Sequence, residues 1–269
     1  MNNDYHARFG MEENPFLKNS REILYESSEF KEAITRLNYL QTSRGIGLLT
    51  AGPGKGKTTA VRTWANSLNP SLYKVVYSCL STVTVAEFYR GLAYGLGVAP
   101  CFKKVDNFRL IQDEIARLSV EKRITPVIII DEANHVSGAI LNDLKSIMNF
   151  EMDSRDRAIL LLSGLPAINK TLNLAVHEPL RQRVTMNYNM EGLTKSEAKD
   201  YIFRKLRGVN CNQNIFDENA LEALINAAAG IPRMLNKYAD KSLVIACSKN
   251  SDRVDNDTVM KAISDCQLE

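Results

Sequence analysis

The stretch "AGPGKGKTT", residues 51–59, decides the fold. It sits between an apolar run, "IGLLT" at residues 46–50, and a helical pattern that reaches Leu68. The spacing is A-x-x-x-x-G-K-T, that of a phosphate-binding loop with Ala51 in place of the first glycine. Gly52, Gly54 and Gly56 tolerate positive φ, so successive backbone N–H groups can curl toward an anion. The helix after Gly56 adds its own unpaired N–H groups and the positive end of its dipole. Lys57 would then reach the β- and γ-phosphates of ATP, and the Thr58 hydroxyl would ligate Mg²⁺. Pro53, Lys55 and Thr59 complete the expected nucleotide contacts. A bare glycine-rich turn is the plainer alternative; the strand–loop–helix setting argues against it.

A second constellation lies downstream in "PVIIIDEANH", residues 126–135. Its β-branched run reads as a buried strand, and it ends in two adjacent carboxylates. Asp131, at the strand end, is placed to hold the Mg²⁺. Glu132 points elsewhere and is the candidate general base for the attacking water. An Asp-Glu pair could simply cap the next helix; together with the upstream loop it reads as ATP hydrolysis.

Composition leaves room for this chemistry and removes others. The 269 residues can bury a large core and divide into a major and a minor domain. No apolar run approaches membrane-spanning length, and "MNNDYHARFG" has no signal-peptide character. Five cysteines without C-x-x-C spacing read as reduced thiols, which points to the cytoplasm and away from zinc. The net charge is only +3, and residues 192–269 hold eleven basic and eleven acidic side chains. Any DNA contact must therefore be a local patch.

Short apolar segments alternate with helical ones as far as residue 191. "IGLLT", "YKVVYS", "VIIID", "AILLLS" and "RVTMNYN" read as strands. Thr84 and Glu87 form a capping box before one helix, and Phe108, Ile111, Ile115 and Leu118 mark another. The alternation predicts an α/β fold with a parallel sheet covered on both faces. From Gly192 only helices follow, the first opened by a Thr194/Glu197 capping box. The expected organisation is residues 1–191 as an α/β nucleotide-binding domain, with a helical lead-in over 1–43, and residues 192–269 as a helical lid. Trp64 falls on the apolar face of the phosphate-loop helix and reads as core.

A phosphate-loop sheet domain followed by a helical lid resembles the AAA+ ATPases. More finely, the chain is similar to the ExeA-like branch, which includes secretion ATPases and soluble transposition regulators of the MuB, TnsC and TniB type. The similarity runs through "YHARFGMEENPF", "LLTAGPGKGKTT", "IIIDEAN", "PLRQRVTMNYNMEGLTKSEAKDYIFRKL" and "AAAGIPRMLNKYADKSLVIA". It implies that Arg233, in "GIPR", touches the γ-phosphate, and that Arg181 or Arg183 reaches the ATP of a neighbouring subunit. Two positions depart from the pattern. Ala51 is a mild change; Leu165 stands where a polar residue usually senses the γ-phosphate. Ser163 or Asn169 is the candidate substitute, and slow or partner-stimulated hydrolysis is expected.

The secretion-type members continue into membrane and cell-wall-binding segments that this sequence does not contain, which favours the soluble branch. The resemblance then implies an ATPase that assembles as a ring or filament on duplex DNA, with little sequence preference, and recruits a DDE-type transposase. Lys103, Lys104 and Arg109 are the candidate DNA contacts, with Lys74 a weaker one. A secretion or envelope-assembly ATPase, a helicase-loader-like ATPase and a non-hydrolysing nucleotide-gated scaffold are the alternatives.

Overall fold

Five runs of the sequence become strands: β1 (Gly45–Ala51), β2 (Tyr73–Ser78), β3 (Thr125–Ile130), β4 (Ile159–Gly164) and β5 (Val184–Met190). They form one sheet in the order β2-β3-β4-β1-β5, and every pairing is parallel. The structure, a computed structural model, describes residues 8–79, 82–211 and 213–267. Tyr5 to Ala7, part of the N-terminal stretch that resembles the ExeA-like branch, lie outside them.

Burial separates the interior strands from the edges. Every residue of β1, β3 and β4 is buried, as their unbroken apolar runs require. The outer strands β2 and β5 expose part of their side chains, and their sequences carry Lys, Tyr, Ser and Asn accordingly. The helix α1 (Ser28–Ser43) leads into β1; parallel pairing needs crossovers, supplied by α2 (Lys57–Ser67), α3 (Val85–Gly95), α4 (Lys104–Ala116), α5 (Gly138–Ile147), α6 (Ala167–Leu172) and α7 (Glu178–Arg181). The capping box Thr84–Glu87 opens α3, and the Ser137 side chain caps α5. Trp64 is buried. On the sheet, Ile46, Leu48, Ile128, Ile130, Leu160 and Leu162 pack with Phe88, Ile111, Ile115, Ile140 and Leu144. Gly47 is needed in β1 because a Cβ there would lie 2.4 Å from Cδ2 of Leu40.

The remaining helices are α8 (Lys195–Arg207), α9 (Glu218–Ala228), α10 (Pro232–Ser248) and α11 (Asn256–Cys266). The chain divides into two compact units. One comprises Phe30–Gly52 and Gly56–Met190; the other joins the segment ending at Glu29, the three residues Pro53–Lys55, and everything from Glu191. This differs from a single cut at residue 191. The N-terminal segment goes with the helices because Phe9, Met11 and Phe16 are buried in their core, beside Ile202, Leu206, Leu224 and Leu235. All five cysteines are free thiols.

The start of α8 is fixed by one carboxylate. Glu197 accepts from the Thr194 N–H at 2.9 Å and the Thr194 hydroxyl at 3.0 Å, and also from the Ser28 N–H at 2.7 Å. Burial pushes its pKa up, but the hydrogen bonds from Ser28 and Thr194 prevail and hold it at about 2. Since the folded value lies below the ordinary 4.5, this stabilisation is complete above about pH 4.5 and is lost as pH falls toward 2. Glu197→Ala is expected to lower stability by about 1 kcal/mol at neutral pH. In thermal melts followed by circular dichroism, the variant should lose less stability than the parent between pH 4.5 and 2. Parallel acid limbs for the two would refute the assignment.

Candidate functional site

Parallel strands present their C-terminal ends together, and such ends are where open α/β sheets bind ligands. Four neighbouring strands do so here. β1 runs into the glycine-rich loop, β3 into Asp131, β4 ends with Ser163 and Gly164, and β2 ends with Tyr77 and Ser78.

Asp131 is the centre of the group. It is 3% exposed and accepts from five donors. Its Oδ1 takes the Lys57 ammonium at 2.6 Å, the Ser163 hydroxyl at 2.9 Å and the Glu132 N–H at 3.0 Å. Its Oδ2 takes the Thr58 and Tyr77 hydroxyls, both at 3.1 Å. Burial works to raise the carboxyl pKa; the hydrogen bond and charge of Lys57, then Ser163 and the Glu132 N–H, overcome this and hold it below the usual carboxylate value. Tyr77 is shifted the other way. Burial, then the charge and hydrogen bond of Asp131, push its phenol up to about 12.

Glu132 has a left-handed backbone, φ 51° and ψ 37°. Such a conformation costs a non-glycine residue on the order of 1 kcal/mol or more. The Glu132 carboxylate is half exposed and lies 3.9 Å from the Lys57 ammonium. A solvent-facing carboxylate beside a buried one is the arrangement that general-base chemistry needs. Leu165 contributes its backbone: its N–H donates to Oδ1 of Asn134 at 2.8 Å. The Ser163 hydroxyl is engaged with Asp131, and Asn169 makes no recorded side-chain hydrogen bond to this group.

The loop itself uses positive φ where glycine permits it, +73° at Gly54 and +102° at Gly56. A Cβ on Gly56 would meet nothing within 4 Å, so there is open space beside this residue. The tip is held differently. Lys55 pairs with Glu191 at 3.0 Å, and the Arg233 N–H donates to the Gly54 carbonyl at 3.3 Å. A Cβ on Gly54 would come 2.7 Å from Cβ of Arg233. Among the described residues, the exposed Arg233 guanidinium has no ion-pair partner. Gly52, Pro53 and Thr59 follow the loop and the first turn of α2.

These oxygens and amines suit a magnesium nucleotide. Thr58 Oγ1 and Asp131 Oδ2 lie side by side and are hard donors of the kind Mg²⁺ takes. Lys57 supplies a cation, and Gly56, the residue before it, has open space at its side.

The two candidate finger arginines differ in their engagement. Arg183 donates to the Lys145 carbonyl at 2.9 Å and pairs with Asp153. It thereby braces a turn in which Glu151, Met152 and Asp153 all have positive φ. Arg181 is exposed and only loosely held, 3.4 Å from Asn173 and 4.0 Å from Glu178. Of the candidate DNA contacts, Lys104 pairs with Asp143 at 2.6 Å, whereas Lys103 and Arg109 are exposed with no recorded side-chain partner among the described residues. Lys74 donates to the Leu96 carbonyl. Sequence reasoning missed Tyr77 and Asn134. The position of Tyr77 at the C-terminal end of a strand flanking the Asp131 strand was the available signal.

Residues 40–172 match the family model described as an AAA domain. General secretion pathway protein A of Aeromonas hydrophila is 30% identical over 256 residues, which covers 93% of this chain and 46% of that protein. The chain spans less than half the length of the curated relatives it matches. Among solved structures, Cdc6p from Pyrobaculum aerophilum is similar with a TM-score of 0.73 at 13% identity, covering 94% of this chain and 71% of that one. The Aeropyrum pernix ORC1 protein, solved in complex with DNA, gives 0.65 at 18% identity, covering 93% and 68%. At these identities the likeness is one of fold.

The buried pair makes a prediction for the protein without nucleotide. Lys57→Ala leaves Asp131 charged and buried without its cation, and should cost about 3 kcal/mol of stability. Adding Asp131→Asn to that variant should recover part of the loss. Urea unfolding measures both, and a cost below about 1 kcal/mol for Lys57→Ala would show that the pair is not holding the ligand-free protein together.

Proposed function

We propose, from the P-loop AAA+ fold and the match of residues 40–172 to an AAA-domain model, that this chain binds and hydrolyses ATP with Mg²⁺ to control its own assembly on duplex DNA. The observation that carries the nucleotide part of the reading is the convergence of Lys57, Thr58, the Glu132 N–H and Ser163 on one buried carboxylate, Asp131.

Each residue then has a physical task. The loop N–H groups cradle the phosphates, and Lys57 leaves Asp131 for the β- and γ-phosphates. Thr58 and Asp131 hold Mg²⁺, which when bound neutralises phosphate charge. Ser163 and the Glu132 N–H keep Asp131 aimed after Lys57 has moved. Glu132 accepts the proton of the attacking water at its half-exposed carboxylate. Arg233 approaches the γ-phosphate from the helix start whose N–H already touches the loop. Arg181 is the finger for a neighbouring copy because it is exposed and loosely held; Arg183 is committed to Asp153 and Lys145.

Duplex DNA is the proposed partner, gripped at phosphates by Lys103 and Arg109 and made effective by repetition in a ring or filament. Lys104 serves the protein itself through Asp143. The assembled protein would deliver a DDE-type transposase and work in the cytoplasm. The solved relative bound to DNA supports a DNA partner. A second reading, an ATPase of secretion or envelope assembly, draws support from the 30% identity to General secretion pathway protein A. Helicase loading draws support only from the shared fold with Cdc6p.

Phosphate release and sedimentation, measured together with and without duplex DNA at fixed salt, test the proposal. ATP should drive assembly on DNA, Lys57→Ala should abolish it, and Glu132→Gln should bind ATP and stay assembled. Arg181→Ala is expected to lower turnover about 10³-fold with nucleotide binding retained. Arg183→Ala should act chiefly on stability. Turnover and size indifferent to DNA at low salt would reject the DNA partner in favour of the secretion reading.

A further inference from the structure

Tyr77 stands apart from the other donors to Asp131. Lys57 and Thr58 belong to the phosphate loop and its helix, and both have another task once a nucleotide is present. Ser163 and the Glu132 N–H bind Oδ1. On Oδ2 the donors are Thr58 and Tyr77 alone among the described residues. Tyr77 reaches this oxygen from β2, the edge strand, whose register places it beside Ile129 two residues before Asp131. The strand end is fixed there because the Asp131 N–H donates to the Ser78 carbonyl at 2.8 Å. The ring itself is half exposed, at 51%. It is therefore poorly explained as core packing, and its one recorded hydrogen bond is to the carboxylate.

We propose that Tyr77 is a positioning residue for the divalent cation: its hydroxyl fixes the rotation of the Asp131 carboxylate when Lys57 has moved to the phosphates and Thr58 has turned to the metal. This deepens, and rests on, the reading of the site as a magnesium-ATP site. With Ser163 and the Glu132 N–H on Oδ1 and Tyr77 on Oδ2, the carboxylate would stay held on both oxygens while Lys57 and Thr58 are engaged elsewhere. Without the hydroxyl, Oδ2 loses its fixed donor while Oδ1 keeps Ser163 and the Glu132 N–H, so the carboxylate is held on one oxygen only and its aim at the cation loosens. Outer partners of this kind typically contribute 10–100-fold in metal affinity.

The test is Tyr77→Phe, which keeps the ring and deletes one oxygen. Binding of a ribose-labelled fluorescent ATP is followed by anisotropy, first in EDTA and then across a Mg²⁺ titration, with Asp131→Asn as the reference for a lost cation site. The expected result is unchanged affinity in EDTA and a Mg²⁺ midpoint raised about 10-fold or more. An unchanged midpoint overturns the positioning role while leaving the ATP site intact. An equal loss in EDTA overturns it too, since the hydroxyl would then serve the nucleotide or the fold and not the cation. If the parent protein binds the labelled ATP no better than Lys57→Ala, the nucleotide reading itself fails, and this inference with it.

Discussion

A lysine ammonium and an aspartate carboxylate 2.6 Å apart, both nearly without access to water, hold the centre of the sheet unit together. Neither charge could be buried alone, because removing one partner leaves the other desolvated and uncompensated. The pair therefore ties the start of α2 to the end of β3. On the proposed reading, a phosphate chain would have to offer Lys57 a better partner than Asp131, and Asp131 would need a cation in exchange, so that binding would be a swap of partners within the site. Nucleotide without metal would leave Asp131 short of positive charge, which couples the two ligands through ordinary electrostatics.

The surrounding fold provides the rigidity this swap requires. β1, β3 and β4 are buried along their whole length, so their ends are positioned by packing on both faces. Ser163 and Asp131 inherit that precision. Two arginines after α6 show the opposite principle. Arg183 is tied into a turn of three left-handed residues, and Arg181, two positions earlier, is exposed and loosely held.

Much of this was readable from residue order. "IGLLT", "VIIID" and "AILLLS" are strands because unbroken β-branched and leucine runs suit burial on two faces, and all three are interior strands. The capping boxes at Thr84 and Thr194 close as their spacing implies. Residue types and local spacing also nominated Lys57, Thr58, Asp131 and Glu132. What they do not carry is pairing at long separation. Nothing in "YKVVYS" says that its second tyrosine bends over the strand end to a carboxylate 54 positions later. The different engagement of Arg181 and Arg183 depends on Asp153, on another segment. Phe9, Met11 and Phe16 have no helical or strand period, so their place in the core of the helical unit is set by tertiary packing alone.

The strand order has a consequence for how the chain is made. β1 leaves the ribosome early, yet both of its neighbours come late: Gly45 pairs with Ile159, and Ala51 with Met190. This fully buried strand must wait for more than a hundred further residues before either edge is covered. At ordinary synthesis rates of about 5–20 residues per second, that wait is roughly 6–20 s. During it, the phosphate-loop segment is a sticky strand with two open edges, and non-local parallel pairing is intrinsically slow to form. The newborn chain is thus exposed to aggregation at the element on which its chemistry depends, and a chaperone that shields residues 45–51 would act at the most vulnerable point of its biogenesis.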